Sequence, residues 1–323
     1  MPSRKQVGRL IRAIRLIGAR TARWCVVLVA VSAPGMEIRA QRVDTAATKA
    51  AILAADRALA VAVAKSGPSA FLDALEAGAA VLFPGVGILR GAAEARAPYV
   101  ARYGTPSTFT SHVAGAVASA EGTFGCTTGF IRSVNAADST NVERGGAYLT
   151  CWRRSATGIW KIAGHQRSEA APGVARVADE AMLATVPRSA TIRENGTGLA
   201  GAQDTDAAFA KMGSEPAGPG PAFERYAAPD AMFPGSVTPP HGRAEIRKAF
   251  EAFPPERVLL WEPTRELGAA AGGLAFTVGV ATNRPRTGAG PQTFTKYFTV
   301  WRLESDGRWL WIFDLGSPRP ALR

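Results

Sequence analysis

Histidine and cysteine are scarce in this chain, three of each in 323 residues. His112 and His241 fall near predicted loops with no second ligand at metal-binding spacing, and no zinc motif, phosphate-cradling glycine loop or serine-nucleophile elbow is present. Metal-centred, nucleotide-dependent and serine-hydrolase chemistry thus have no motif to stand on, and no cofactor is expected. Long apolar runs are missing too. The longest, Trp24 to Ala33, has ten residues, too few to span a bilayer. The net charge of +12 looks strongly basic, but residues 1–40 hold eight Lys and Arg against Glu37 alone, leaving +5 over the other 283 residues. No basic stripe with interleaved aromatics remains, so nucleic acid is not an expected partner.

What the chain does have is a basic, acid-free start followed by that short apolar run and small residues at Ala33 and Ala40. This is the plan of a secretory signal, with cleavage after Ala40 favoured because Pro34 follows Ala33. The expectation is export to the periplasm or medium, with no membrane span in the mature chain. The alternative is a basic amphipathic leader, with Val7, Leu10, Ile11, Ile14 and Ile17 at helical spacing, which would keep the protein cytoplasmic or on a membrane surface. Asn195-Gly196-Thr197 matches a glycosylation triplet and is read as chance.

The remainder repeats itself. Asp56, Phe83-Pro84-Gly85, Gly122, Thr127, Gly129, Trp152-Arg153, Gly158 and Trp160 return as Asp206, Phe233-Pro234-Gly235, Gly272, Thr277, Gly279, Trp301-Arg302, Gly307 and Trp309, at an offset of 149 to 152. A unit this long is a copied domain rather than a solenoid repeat. Each copy reads as helical first and strand-rich later. Ala46 to Lys65, Pro68 to Leu75 and Ala92 to Arg102 are predicted helices, and Thr205 to Met212, Ala222 to Ala227 and Arg243 to Phe253 are their counterparts. Glycine- and Asn/Asp-punctuated β runs follow in both copies. The class is α+β, with copies at 48–168 and 203–320 and a linker at 169–202. Asp56 and Asp206 are read as solvated helix-face acids.

Cys126 and Cys151 fall on two β runs around a polar turn, nearly symmetric about its centre. They form either a disulfide in an oxidising compartment or two buried thiols. Phe276 and Val300 stand at these positions in the second copy, so the fold does not need the bridge. Counting by twos along the last strand puts Lys161, Ala163 and His165 on one face, and Leu310, Ile312 and Asp314 on the matching face. In the second copy Trp309, Trp311 and Phe313 fill the opposite face. Both faces of that strand therefore need cover.

The ordered set AVLFPG, RGAAEA, EGTFGCTTG and YLTCWRR…GIWKI, repeated as AMFPG, HGRAEI, GGLAFTVG and FTVWRL…GRWLWIFD, resembles the nuclear transport factor 2-like superfamily. It is most similar to the SnoaL-like and calcium/calmodulin-kinase-association-like bacterial domains. The resemblance implies two tandem cones, each a strongly curved, mostly antiparallel sheet wrapped around N-terminal helices, with a pocket at the open end. It implies Phe83, Phe233, Tyr148 and Phe298 as pocket residues. It also implies an outer sheet face used in dimers, hence an internal pseudo-dimer or a homodimer. A ketosteroid isomerase of this superfamily uses an aspartate base with a tyrosine and a protonated aspartate as oxyanion donors. The base position holds Phe83 and Phe233 here and the tyrosine position Leu59 and Phe209, so both copies lack that set and the balance tilts against an enzyme. SnoaL-like cyclases are similar in using a late-strand acid, which singles out Asp314 and His165 as candidate acid–base residues. The function expected is binding of a small apolar molecule. The rivals are a cyclase, isomerase or dehydratase using Asp314 or His165, and a protein-interaction scaffold with filled pockets.

Overall fold

The computed structural model of the chain describes residues 44–103, 107–135, 143–169, 186–192, 198–235 and 239–321. The leader, most of the linker and Asn195-Gly196-Thr197 lie outside the described residues. Among these residues no helix is long and apolar enough to cross a membrane.

Helix α1 spans Thr45–Ser66. Its first turn is capped by Asp44, whose side chain accepts from the amides of Ala46 and Ala47, and it stops at Gly67, where φ is +72°. After α2 (Pro68–Asp73) come β1 (Leu75–Leu82), β2 (Ile88–Arg90), α3 (Gly91–Tyr103), β3 (Ser107–Ala118), β4 (Phe124–Asn135), β5 (Glu143–Arg154) and β6 (Trp160–Arg167). At Gly91 the backbone is left-handed (φ +62°) and a Cβ would lie 2.2 Å from the Ala77 carbonyl oxygen, so only glycine lets α3 start against β1. The second half repeats the plan with α4 (Gly198–Gly213), α5 (Pro219–Tyr226), β7 (Ala227–Met232), α6 (Gly242–Ala249), β8 (Arg257–Pro263), β9 (Ala269–Ala271), β10 (Leu274–Pro285), β11 (Thr293–Leu303) and β12 (Trp309–Pro318).

Each half is one sheet. The strand orders are β2-β1-β6-β5-β4-β3 and β7-β12-β11-β10-β8, with β9 beside β10. All pairings are antiparallel except β1 with β6 and β7 with β12. The helices pack on the inner face of each sheet, giving the two α+β cones. In the first, Ile52, Phe71, Leu72, Tyr99, Trp152 and Ile162 form the interior core.

The outer faces meet each other. Phe124, Cys126, Leu149 and Cys151 share one apolar cluster with Phe276, Phe298, Val300 and Phe313, and the Phe276 and Phe298 rings stack at 4.6 Å. Cys126 and Cys151, directly opposite in β4 and β5, are joined by a disulfide on this face. Polar bonds cross as well: Gln166 Nε2 donates to Ser317 Oγ (3.0 Å), Ala120 N–H to Gly272 O (2.8 Å), and Lys296 Nζ to Phe83 O (2.6 Å). Part of the linker region is tied down. Ala190 N–H donates to Ala118 O, and the buried Arg302 guanidinium bonds both Arg188 O and Asp230.

One expectation about faces fails in its detail. In β6 Cys151 pairs with Gly164 and Trp152 with Ile162, leaving Ala163 as an extra residue; in β12 Val300 pairs with Phe313 and Trp301 with Trp311, leaving Ile312. A bulge shifts every residue on one side of it to the other face. Trp311 therefore shares the inner side with Asp314, and Phe313 turns outward. A count by twos reaches His165 and Asp314 correctly only when it starts beyond the bulge.

Candidate functional site

The same buried polar chain recurs in both cones. In the first, Thr127 Oγ1 and Tyr148 OH donate to the two oxygens of Asp56 (2.6 and 2.8 Å), and Trp152 Nε1 donates to Thr127 (3.0 Å). In the second, Tyr297 OH donates to Asp206 Oδ2 (3.0 Å) and Trp301 Nε1 to Thr277 Oγ1 (2.8 Å). Asp56 and Asp206 are thus buried, not solvated acids as the helix position implied; they face the concave sheet, and the tyrosine hydroxyl replaces water. Burial raises the Asp56 carboxyl against the pull of Thr127 and Tyr148. It raises Asp206 to about 7, opposed by Thr277 and Tyr297 and assisted by the charge of Asp314. Asp206 Oδ1 is buried with no hydrogen-bond partner among the described residues. A signal for this network did exist in the sequence: Asp56/Asp206 and Thr127/Thr277 are polar landmarks kept at a common offset.

Next to this chain each cone has a cavity, and the two differ fivefold. The first is about 20 Å³, lined by Asp56, Tyr148, Thr150, His165 and Arg167 among others. The second is about 110 Å³, lined mainly by Phe209, Phe223, Trp261, Tyr297, Thr299 and Asp314, with Gly316 at its exposed rim. Strand register explains the difference. Tyr148 pairs with Arg167 and Thr150 with His165; Tyr297 pairs with Gly316 and Thr299 with Asp314. Arg167 therefore occupies the place that Gly316 holds in the second copy. Its buried guanidinium lies 4.7–5.8 Å from the ring centres of Phe71, Phe83, Tyr99 and Tyr103.

The late-strand residues fare differently. His165 is fully enclosed between Thr150 Oγ1 at Nδ1 (2.8 Å) and Arg167 Nε, which donates to Nε2 (3.0 Å). Burial first, and then Arg167, hold its pKa well below the ordinary value, so it stays neutral, with Nδ1 carrying the proton that Nε2 lacks. Asp314 is part-buried on the cavity wall, its Oδ2 accepting from Thr299 Oγ1 (2.6 Å), and burial raises it to about 6.

The four aromatic candidates divide. Tyr148 lines the first cavity. Phe83 lies one layer away, in the cluster with Phe71, Tyr99 and Tyr103, and Phe233 packs on Phe223, Phe250 and Trp311. Phe298 points outward into the contact between the sheets; its neighbour Tyr297 is the true counterpart of Tyr148. A one-residue slip in the alignment is enough to choose the wrong face. Among the described residues no group of three or more His, Cys, Asp or Glu could hold a metal ion.

Residues 203–312, from within α4 to within β12, match the model of the SnoaL-like domain. Among solved structures the chain is similar to a ketosteroid isomerase-like protein from Erwinia carotovora atroseptica, with 17% identity over 39% of this chain and 98% of that one, at a TM-score of 0.33. It is similar also to a nuclear transport factor 2-like superfamily protein from Salmonella enterica serovar Typhimurium (15% identity, 39% and 93% covered, TM-score 0.34). A third is nuclear transport factor 2 from Cryptosporidium parvum (16%, 39% and 98%, TM-score 0.32). No curated protein matches this chain.

Proposed function

We propose that this is an exported protein that binds a small, mainly apolar molecule in the cavity of its second cone. The reading takes residues 1–40 as the export leader, 48–168 and 203–320 as the two domains joined by 169–202, and the packed outer faces as an internal pseudo-dimer. One observation carries it. The second cone keeps about 110 Å³ walled by Phe209, Phe223, Leu259, Trp261 and Ala281, where the first cone keeps about 20 Å³. An apolar cavity with a few convergent polar groups is the ordinary form of a small-molecule site. The first cone, closed by Arg167, serves as the structural half.

Native mass spectrometry of the mature protein, purified from its own host, tests this. The expected result is one small molecule per chain, lost in Ala281→Trp, on a chain that begins after Ala40. A protein that stays empty through exposure to a library of lipids and polyketides would overturn the binding reading and favour a scaffold.

A second reading, proton transfer on the bound molecule, is favoured by Asp314, a wall carboxyl raised to about 6, beside Tyr297, which is tied to Asp206. A carboxyl near neutrality suits general acid–base work. Asp314→Asn separates the two readings: under this one it abolishes turnover of the retained molecule, and under simple binding no turnover exists to lose.

A further inference from the structure

The two cones place the same hydrogen-bonded relay beside their cavities but end it differently. In the first, Thr150 bonds one side of His165 and the Arg167 guanidinium bonds the other. In the second, Thr299 bonds Asp314 Oδ2, while Asp314 Oδ1 has no hydrogen bond among the described residues. Gly316, at the position of Arg167, has no side chain to supply one.

Charge follows the same pattern. Asp56, His165 and Arg167 line one cavity in the first cone, so an acid and a permanent cation share it. The wall of the second cavity includes Asp314, with Asp206 one hydrogen bond behind Tyr297, and none of its lining residues is basic. Among the described residues what opposes burial at these carboxyls is hydrogen bonding, from Thr299 at Asp314 and chiefly from Thr277 and Tyr297 at Asp206. Buried charge is normally paired.

The aromatic setting is repeated too. Phe71, Phe83 and Tyr99, which surround the Arg167 guanidinium, correspond to Phe223, which lines the second cavity, and to Phe233 and Phe250, which pack behind it. Phe223 stacks on Phe250 at 4.4 Å, as Phe71 does on Tyr99 at 4.6 Å. Trp261, paired with Ala281 as Ser111 is with Ile131 in the first copy, adds an indole beside Phe209 and Phe223. Aromatic faces with a carboxylate form the general recognition unit for organic cations.

We infer that the second cavity takes a molecule with a cationic head, an ammonium, quaternary ammonium or guanidinium, whose charge stands against Asp314 as the Arg167 guanidinium stands against His165. The inference rests on the proposed binding function and narrows it: the ligand is an apolar amine or guanidine rather than a neutral molecule. The cavity, about 110 Å³, is smaller than the roughly 150 Å³ that holds benzene, which limits the apolar part to a small ring with its edge at the exposed Gly316 rim.

Calorimetric titration of the full chain with cyclopentylamine and with cyclopentanol, which have one shape and different charge, tests it. The amine is expected to bind roughly 10- to 100-fold tighter, the worth of a charge-assisted hydrogen bond. Asp314→Asn should remove that preference, and an unchanged circular dichroism spectrum shows that the variant folds. Gly316→Arg, which rebuilds the arrangement of the first cone, should abolish binding of both. Equal affinities in the wild type, or a preference that survives in Asp314→Asn, would overturn the cationic ligand and leave the apolar-binding function standing. Binding of neither compound would overturn both.

Discussion

Replacing Arg167 by Gly should open in the first cone the cavity that Gly316 leaves in the second. The cavities measure about 20 and about 110 Å³. At roughly 24 cal/mol per Å³ of new cavity, the loss of packing costs about 2 kcal/mol. Lost contacts between the guanidinium and four aromatic rings add to this. Urea unfolding followed by Tyr and Trp fluorescence measures the change, and a loss of about 2 kcal/mol corresponds to a melting shift of roughly 3–4 °C if the two cones unfold together. Arg167→Met, which refills most of the volume without charge, should recover part of the loss. With the cation gone, the His165 pKa should rise, while burial keeps it below the ordinary value. A wild-type midpoint for Arg167→Gly, or equal midpoints for the Gly and Met variants, would refute the idea that this side chain fills the first cavity.

Stability should also respond to pH through the second cone. Asp206, near 7, and Asp314, near 6, lie above their unfolded value of 3.8. The native state therefore binds more protons, and their contribution is fully present below about pH 3.8 and is lost as pH rises through 6 to 7. His165 acts oppositely, because its depressed pKa gives stability that is lost as pH falls below 6.5. The comparison that isolates Asp206 is between wild type and Asp206→Asn: the variant should show a shallower decline between pH 4 and 7, keeping only the share of Asp314, and an unchanged slope would contradict a buried, shifted Asp206. The contact between the sheets is tested by Gly164→Val. A Cβ there would lie 2.7 Å from both Phe276 Cζ and Phe298 Cε2, so overpacking should cost about 1–3 kcal/mol. A neutral substitution by chemical denaturation would mean that these faces do not press together.

Much of this architecture is readable from local pattern. The helix of Ala46 to Lys65 is present within a residue at each end, because an alanine-rich run between Asp44 and Gly67 carries its own start and stop. The α4 helix begins earlier than its predicted start at Thr205: Gly198 and Gly201 interrupt an otherwise helix-favouring stretch, and packing overrides them, with Ala202 and Gln203 buried. The candidate site is legible only in part. Asp314 lies on a cavity wall, but the sequence pattern points to Phe298 where Tyr297 faces the cavity, and Asp206, the group most shifted toward neutrality there, reads in sequence as an ordinary helix acid.

By itself the sequence determines the duplication, the order of helices before strands and the α+β class, because recurrence and periodicity are properties of neighbours along the chain. Which copy keeps a cavity was decided by tertiary structure. The extra residues Ala163 and Ile312 exist only in relation to β5 and β11, and they set which way His165, Arg167, Asp314 and Gly316 point. Whether an aspartate is solvated or buried depends on Tyr148 and Tyr297 arriving from about ninety residues away. An arginine near the end of β6 and a glycine near the end of β12 look like surface variation until strand pairing places both on the cavity side, where one fills a cone and the other leaves its rim open.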